Sequence, residues 1–195
     1  MQTGLQYAKD DGGFYYFDEN GYQKTGRVAS VECDDDDYTF YFNTKNGKNG
    51  LGFTGEKDGY LYFNGKRLEA DDDYRIYYLN GDLYLVNTKG KIQKAKSGKY
   101  FDIENDKIKN ISGIATDDDG EIRVVTNGYK ITDVGGKTPA DLISNVENEL
   151  ETAKTSLTQN NGESLVDFAK RKQKAYLDAV NYDRLAVTVP SVQLY

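Results

Sequence analysis

Read for periodicity, the chain divides in two. Over residues 1–136, short runs of aromatic and β-branched side chains alternate with polar turns. The segments are FYYFDENGYQKTG (Phe14–Gly26), FYFNTKNGKNG (Phe40–Gly50), YLYFNGKRLE (Tyr60–Glu69), IYYLNGD (Ile76–Asp82), LYLVNTKGKIQKAKSG (Leu83–Gly98), KYFDIENDKIKNISG (Lys99–Gly113) and IRVVTNGYKITDVGG (Ile122–Gly136). Each run is followed by a turn: Asn20-Gly21, Asn46-Gly47, Asn64-Gly65, Asn80-Gly81, Lys89-Gly90, Asn105-Asp106 or Asn127-Gly128. Asn and Gly accept the positive φ of a tight hairpin turn at low cost, and Tyr, Phe, Ile and Val suit a pleated strand. Each segment therefore predicts a β-hairpin or part of one. A lone hairpin is marginal in water, so the hairpins must share a core by stacking. The uneven spacing of the turn glycines leaves the geometry open, from a solenoid to an ordinary sheet. Met1-Gln2-Thr3-Gly4 matches the end of a unit, Gln23-Lys24-Thr25-Gly26, which fits a chain beginning part-way through an array. A strand that simply starts there fits equally well.

Residues 137–195 follow a different rule. This part holds both prolines and only one of the 20 glycines. Thr138 predicts an N-cap with Pro139 in the first turn. Leu142, Val146, Leu150, Ala153 and Leu157 continue an amphipathic helix to about Thr158, closed by Asn160-Asn161-Gly162. Leu165, Phe168, Ala169, Tyr176, Ala179 and Val180 predict a second helix to about Asp183, and the tail AVTVPSVQLY predicts extended chain. The expected architecture is mainly β with a C-terminal α-helical hairpin. Stacked, solenoid-like β-hairpin repeats fill 1–136, and a helical hairpin with an extended tail fills 137–195. The helical stripe needs a partner, within the chain or on other protein subunits through residues 139–185.

The segment FYYFDENGYQKTG resembles the cell-wall- and glucan-binding repeats of Gram-positive bacterial surface proteins, and the C-terminal repeats of the large clostridial toxins. YLYFNGK, LYLVNTKGKIQKAKSG and KYFDIENDKIKNISG resemble them more loosely, and nothing in 137–195 does. The resemblance implies stacked β-hairpins that are non-catalytic and bind a bacterial cell-wall polymer or surface glycan. Choline-binding modules are more distant kin. Their cages use tryptophan for cation–π attraction, and this chain has no Trp, which argues against choline as the ligand.

A glycan ligand suits the composition. Sugars present flat C–H faces bordered by hydroxyls, and tyrosine pairs an apolar ring with a polar tip. Strand alternation sends Phe14 and Tyr16 to one face and Tyr15 and Phe17 to the other, so one aromatic face can pack while the other is presented. The candidate glycan-binding residues are Tyr15, Tyr16, Tyr41, Tyr60, Tyr62, Tyr77, Tyr78, Tyr84 and Tyr100; the competing expectation is that each ring is core.

Charge and rare residues narrow the remaining chemistry. Net charge is −7 over 195 residues, which disfavours nucleic acid. No apolar run is long enough to span a membrane. The start lacks a basic and apolar leader, so no signal peptide is predicted. With no histidine, the commonest general base and metal ligand are missing. Neither an enzyme activity nor a cofactor is expected. The runs Asp34–Asp37, Asp71–Asp73 and Asp117–Asp119 lack the spacing of a calcium loop and read as solvated loops ahead of strands that keep edges unpaired. Cys33, between Glu32 and Asp34, sits where a thiol pKa is raised, which argues against a nucleophile. Lys170-Arg171-Lys172 with Lys174 reads as the wet face of a helix. The leading expectation is a carbohydrate-binding repeat module at the cell surface or outside the cell. The rival is a structural component of a bacteriophage virion, assembled through its C-terminal helices.

Overall fold

A computed structural model describes residues 1–34, 36–45, 47–71, 74–94, 100–102, 107–109, 113–117, 120–134, 137–144 and 147–179. The described chain is mainly β, built from small antiparallel sheets, with helices at its C-terminal end. Strands β1 (Gly4–Ala8) and β2 (Gly13–Phe17) form one hairpin. β3 (Gly26–Cys33), β4 (Asp36–Phe42), β5 (Gly55–Lys57), β6 (Tyr60–Phe63) and β7 (Lys66–Arg67) form a five-stranded sheet in the order β3-β4-β7-β6-β5. β8 (Tyr74–Leu79) pairs with β9 (Asp82–Asn87), and β10 (Tyr100–Asp102) with β11 (Lys107–Lys109). β12 (Gly113–Asp117), β13 (Gly120–Asn127) and β14 (Lys130–Val134) make a three-stranded sheet. The helices are α1 (Pro139–Ser144), α2 (Glu147–Thr155) and α3 (Leu165–Ala179).

The described residues group into two compact units. One comprises Met1–Leu68 with Leu157–Lys174; the other comprises 69–156 with the described residues from Ala175 onward. The first has an aromatic core, in which Phe14, Phe40 and Phe42 are buried with Leu5, Val31, Cys33 and Ala169. Phe40 and Phe42 stack at 5.7 Å, Tyr16 stacks on Phe42 at 6.2 Å, and Tyr7 meets Phe14 edge-on at 5.2 Å. The second has an aliphatic core of Ile76, Leu83, Leu85, Val124, Ile131, Val134, Leu142, Leu150 and Ala179, with Tyr74, Tyr78 and Tyr176 at its rim.

One turn recurs along the chain. At Asp18 the backbone N–H donates to Tyr22 O, Gly21 N–H donates to Asp18 O, and Lys24 N–H donates to Tyr16 O. At Asn87 the same bonds run from Asn87 to Lys91 O, from Gly90 to Asn87 O and from Gln93 to Leu85 O. Both side chains use Oδ1 to accept two backbone N–H groups, those of Asn20 and Tyr22 at 3.0 and 2.9 Å and those of Lys89 and Lys91 at 3.0 Å. Asn43 repeats the backbone pattern around a longer loop: Asn43 N–H bonds Leu51 O, Gly50 N–H bonds Asn43 O and Phe53 N–H bonds Tyr41 O. After each turn the chain folds back on the preceding strand, through Phe17–Gln23, Phe42–Gly52 and Val86–Ile92 bridges. These segments therefore share a backbone shape, not just a composition.

The shorter turns separate by chemistry. Asn64-Gly65 and Asn80-Gly81 both carry two positive-φ residues, as a two-residue hairpin turn requires. Asp58-Gly59 does the same, with Glu56 Oε1 accepting the Gly59 N–H at 2.8 Å. At Asn127-Gly128 the loop residues are instead Gly128 and Tyr129, because Asn127 still pairs with Lys130. Asn46 and Asn105-Asp106 lie outside the described residues, as do Ser97-Gly98 and the tail.

Two sequence expectations need correcting. Asp34–Asp37 is not a loop ahead of a strand. Asp36 and Asp37 lie in β4, paired with Cys33 and Glu32, and Asp34 enters the β3–β4 hairpin turn at φ 59°. The helix expected from Pro139 to about Thr158 is described as two segments, the second ending at Thr155, with residues 145–146 outside the description. Its start is as expected: Thr138 caps α1, its Oγ1 donating to Asp141 Oδ2 at 2.8 Å and accepting the Asp141 N–H at 3.3 Å. Ser164 and Asp167 repeat this box before α3. Of the apolar residues expected to need a partner, Leu142, Leu150 and Ala179 are buried in one core and Ala169 in the other, whereas Leu165 is exposed and Val146 and Val180 lie outside the described residues.

Candidate functional site

Alternation gives the five-stranded sheet two unlike faces. One face carries Phe40 and Phe42 into the aromatic core, where α3 supplies Val166 and Ala169, and Gln173 Nε2 donates to Phe63 O at 3.0 Å. The other face is set by the register pairs Arg27–Tyr41, Tyr62–Arg67, Tyr62–Gly55 and Lys57–Tyr60. Paired residues share a face, so Tyr41, Tyr60 and Tyr62 are interleaved there with Arg27, Lys57 and Arg67.

Three rings on this face close into a cluster. Tyr41 lies 5.7 Å from Phe53 and 5.8 Å from Tyr62, and Phe53 lies 6.2 Å from Tyr62, all edge-on or tilted. Such geometry lets the positive ring edge meet the negative ring face. Backbone bonds hold the cluster in place. Phe53 N–H donates to Tyr41 O at 2.9 Å, Gly65 N–H to Phe53 O at 2.8 Å, and Tyr41 N–H to Gly65 O at 2.8 Å. Thr54 Oγ1 accepts the Asn64 N–H at 2.9 Å. The approach is so close that a Cβ on Gly52 would overlap the Asn64 carbonyl, so only glycine fits there. Gly52 N–H also donates to Phe14 O at 2.8 Å, tying this loop to the β1–β2 hairpin.

Cations cover several ring faces. Lys57 Nζ sits 4.9 Å from the Tyr41 centroid, and the Arg67 guanidinium 5.2 Å from Tyr60. Burial pushes the Tyr62 hydroxyl above its ordinary pKa; Arg67 and Arg27 oppose that shift, while Tyr60 and Asp58 reinforce it. Tyr62 is buried, and Tyr41, Phe53 and Tyr60 are half-buried, so the face is a shallow platform rather than a cavity.

The other candidate tyrosines lie elsewhere. Tyr15 is half-buried, and its hydroxyl donates to Asp11 at 3.0 Å; burial first, then Asp11, raises its pKa. Tyr16 leans on Phe42 in the aromatic core. Tyr77 is buried, with its hydroxyl on Glu69 O and the Arg75 guanidinium 4.4 Å over its ring. Arg75 also donates to Leu177 O and pairs with Asp178, both at 3.1 Å. Tyr78 packs at the rim of the aliphatic core, and Tyr84 lies opposite Tyr77 in the ladder. Tyr100 stands in β10 opposite Lys109, and its side chain lies outside the description. The structure thus brings Tyr41, Tyr60 and Tyr62 together on one face. Phe53 completes the cluster and was missed because it lies outside any strand, although its neighbour Gly52 hints at close backbone approach.

Remaining polar groups serve the fold. Burial raises the Cys33 thiol pKa first, with Asp34 adding to it against Lys66 and Lys170. Hydrogen bonds with Lys24 and the turn N–H groups hold Asp18 below its usual carboxylate range. The Thr138 cap does the same for Asp141. Arg171 grips Glu163 at 2.8 and 2.9 Å and lowers its pKa from 4.5 to about 2. Among the described residues no group of three or more Cys, Asp or Glu is placed to hold a metal ion, and no helix is long and apolar enough to cross a membrane.

No protein-family model matches the chain, and no curated protein does. Among solved structures it is similar to choline binding protein F from Streptococcus pneumoniae, at 18% identity over 70% of this chain and 45% of that one, with a TM-score of 0.33. It is similar to CbpJ from Streptococcus pneumoniae TIGR4 at 17% identity, covering 70% of this chain and 46% of that one, with a TM-score of 0.34. An alternansucrase in complex with isomaltononaose matches at 22% identity, over 67% of this chain and 10% of that one, with a TM-score of 0.27. The chain spans less than half the length of each of these structures. At TM-scores this low the likenesses are loose.

Proposed function

We propose that this chain is a non-catalytic binding module for a bacterial cell-wall polymer or surface glycan, working outside the cell or at its surface. Within each unit its hairpins would stack as solenoid-like repeats. The observation that carries the reading is the Tyr41–Phe53–Tyr62 cluster, flanked by Tyr60 on the sheet face opposite α3. Half-buried rings offer an apolar platform to sugar C–H faces, and tyrosine hydroxyls at the platform bond sugar hydroxyls. One shallow platform binds weakly, so useful affinity comes from repetition along a polymer. The test is retention of the folded chain on Gram-positive wall preparations and on a glycan array. Retention on at least one is expected; a folded chain that passes through all of them contradicts the proposal.

A further inference from the structure

What the aromatic face can discriminate is the shape of its ligand. Charge does not sort ligands here, because the face carries both signs. Arg27, Lys57 and Arg67 lie beside the rings, while alternation along β4 brings exposed Glu32 and Asp37, paired with each other, to the same side. The rings are inclined to one another. Tyr41 and Phe53 stand at 78°, Phe53 and Tyr62 at 66°, and Tyr41 and Tyr62 at 52°. A flat surface therefore cannot lie against the faces of half-buried Tyr41 and Phe53 together, and Tyr62 is buried. Cations also occupy one face of two rings, Lys57 Nζ at 4.9 Å from the Tyr41 centroid and the Arg67 guanidinium at 5.2 Å from Tyr60. The backbone that carries Phe53 is pinned on both sides, its N–H to Tyr41 O and its carbonyl to the Gly65 N–H, with Thr54 clasping Asn64.

Resting on the glycan-binding reading, we propose that this face takes a single, hydrated glycan chain and rejects the flat face of packed chains. Inclined rings meet successive sugars of one strand from different directions, Tyr41 on one sugar and Phe53 on a neighbour. A free chain also turns hydroxyls to its sides. There Arg27 and Lys57 donate hydrogen bonds, and the Tyr60 hydroxyl both donates and accepts. In a packed lattice those lateral hydroxyls are bonded to neighbouring chains, and the surface that remains is planar. Such a plane, brought onto Tyr41 or Tyr60 from the cation's side, meets Lys57 or Arg67 before it meets the ring.

The test holds the whole folded chain on the wall preparation or arrayed glycan that retains it and adds the same material in soluble form. The soluble competitor is chains released from that wall by muramidase, or the free glycan. Crystalline cellulose and crystalline chitin serve as flat probes. The soluble chains in excess should displace the bound protein, and neither crystalline polymer should retain it. Phe53→Leu keeps an apolar side chain but removes the inclined ring. With folding verified by circular dichroism, it should bind the soluble chains about fivefold more weakly by titration calorimetry, the worth of one good ring contact. Retention that soluble chains leave unchanged, retention on either crystalline polymer, or a folded Phe53→Leu protein of unaltered affinity would overturn this inference and leave glycan binding standing. No retention on any wall preparation or arrayed glycan would remove both.

Discussion

The two units of the chain use the same turn and opposite cores. Asp18 and Asn87 close identical hydrogen-bond patterns, yet the first unit fills its interior with stacked phenylalanines and the second with Leu, Ile and Val. The difference changes what the tyrosines do. In the second unit Tyr77 is buried under Arg75 and tied to Glu69 O, and Tyr78 packs at the core rim. In the first, phenylalanine fills the core, and Tyr41 and Tyr60 are left half-buried on the far face of the sheet. A run such as Phe40-Tyr41-Phe42 serves both purposes at once, because alternate residues point to opposite sides.

The sharpest way to break this contrast is to empty each core. Phe42→Ala should cost the first unit about 3–5 kcal/mol and Leu85→Ala should cost the second about 2–5 kcal/mol, read by chemical denaturation. A loss below about 1 kcal/mol at Phe42 would show that its ring stack does not hold the first unit together. A smaller effect tests the shared turn. Asp18→Ala and Asn87→Ala should cost similar, modest stability, and Asp18→Asn should be tolerated, because either Oδ1 can accept the two N–H groups. Clearly unequal losses would mean that the turns are alike only in outline.

The smallest effect is acid sensitivity. Glu163 is held below its ordinary value of 4.5, at about 2, so its anchoring of Arg171 is complete above pH 4.5 and is lost as pH falls toward 2. Amide exchange around residues 158–164 should rise over that window, and Glu163→Gln should remove the dependence. An unchanged acid profile in that variant would place the sensitivity elsewhere.

Legibility from sequence tracked how local the controlling physics is. Asn64-Gly65 and Asn80-Gly81 announce themselves because two residues suffice to make the turn. Asp58-Gly59 carries the same signal but follows Gly55-Glu56-Lys57, which has no apolar residue to mark a strand. β3 escapes because GRVASVEC mixes small and polar residues and shifts register between Val28 and Val31, with Ser30 at φ 53°. At the site, Tyr41, Tyr60 and Tyr62 were legible as aromatic strand residues. Their convergence was not, because it depends on Gly65 bridging β4 to the Phe53 loop, a contact that sequence spacing does not reveal. Leu142, Leu150 and Ala169 were legible as an apolar stripe; what covers them was not.

The central claim is best tested by wall retention of matched tyrosine variants. Tyr41→Ser with Tyr60→Ser strips the platform of the first unit, while Tyr78→Ser with Tyr84→Ser alters the second. The account predicts that the first pair abolishes retention and the second pair leaves it near that of the unaltered chain, with both variants folded by circular dichroism. Equal retention by both pairs would contradict it.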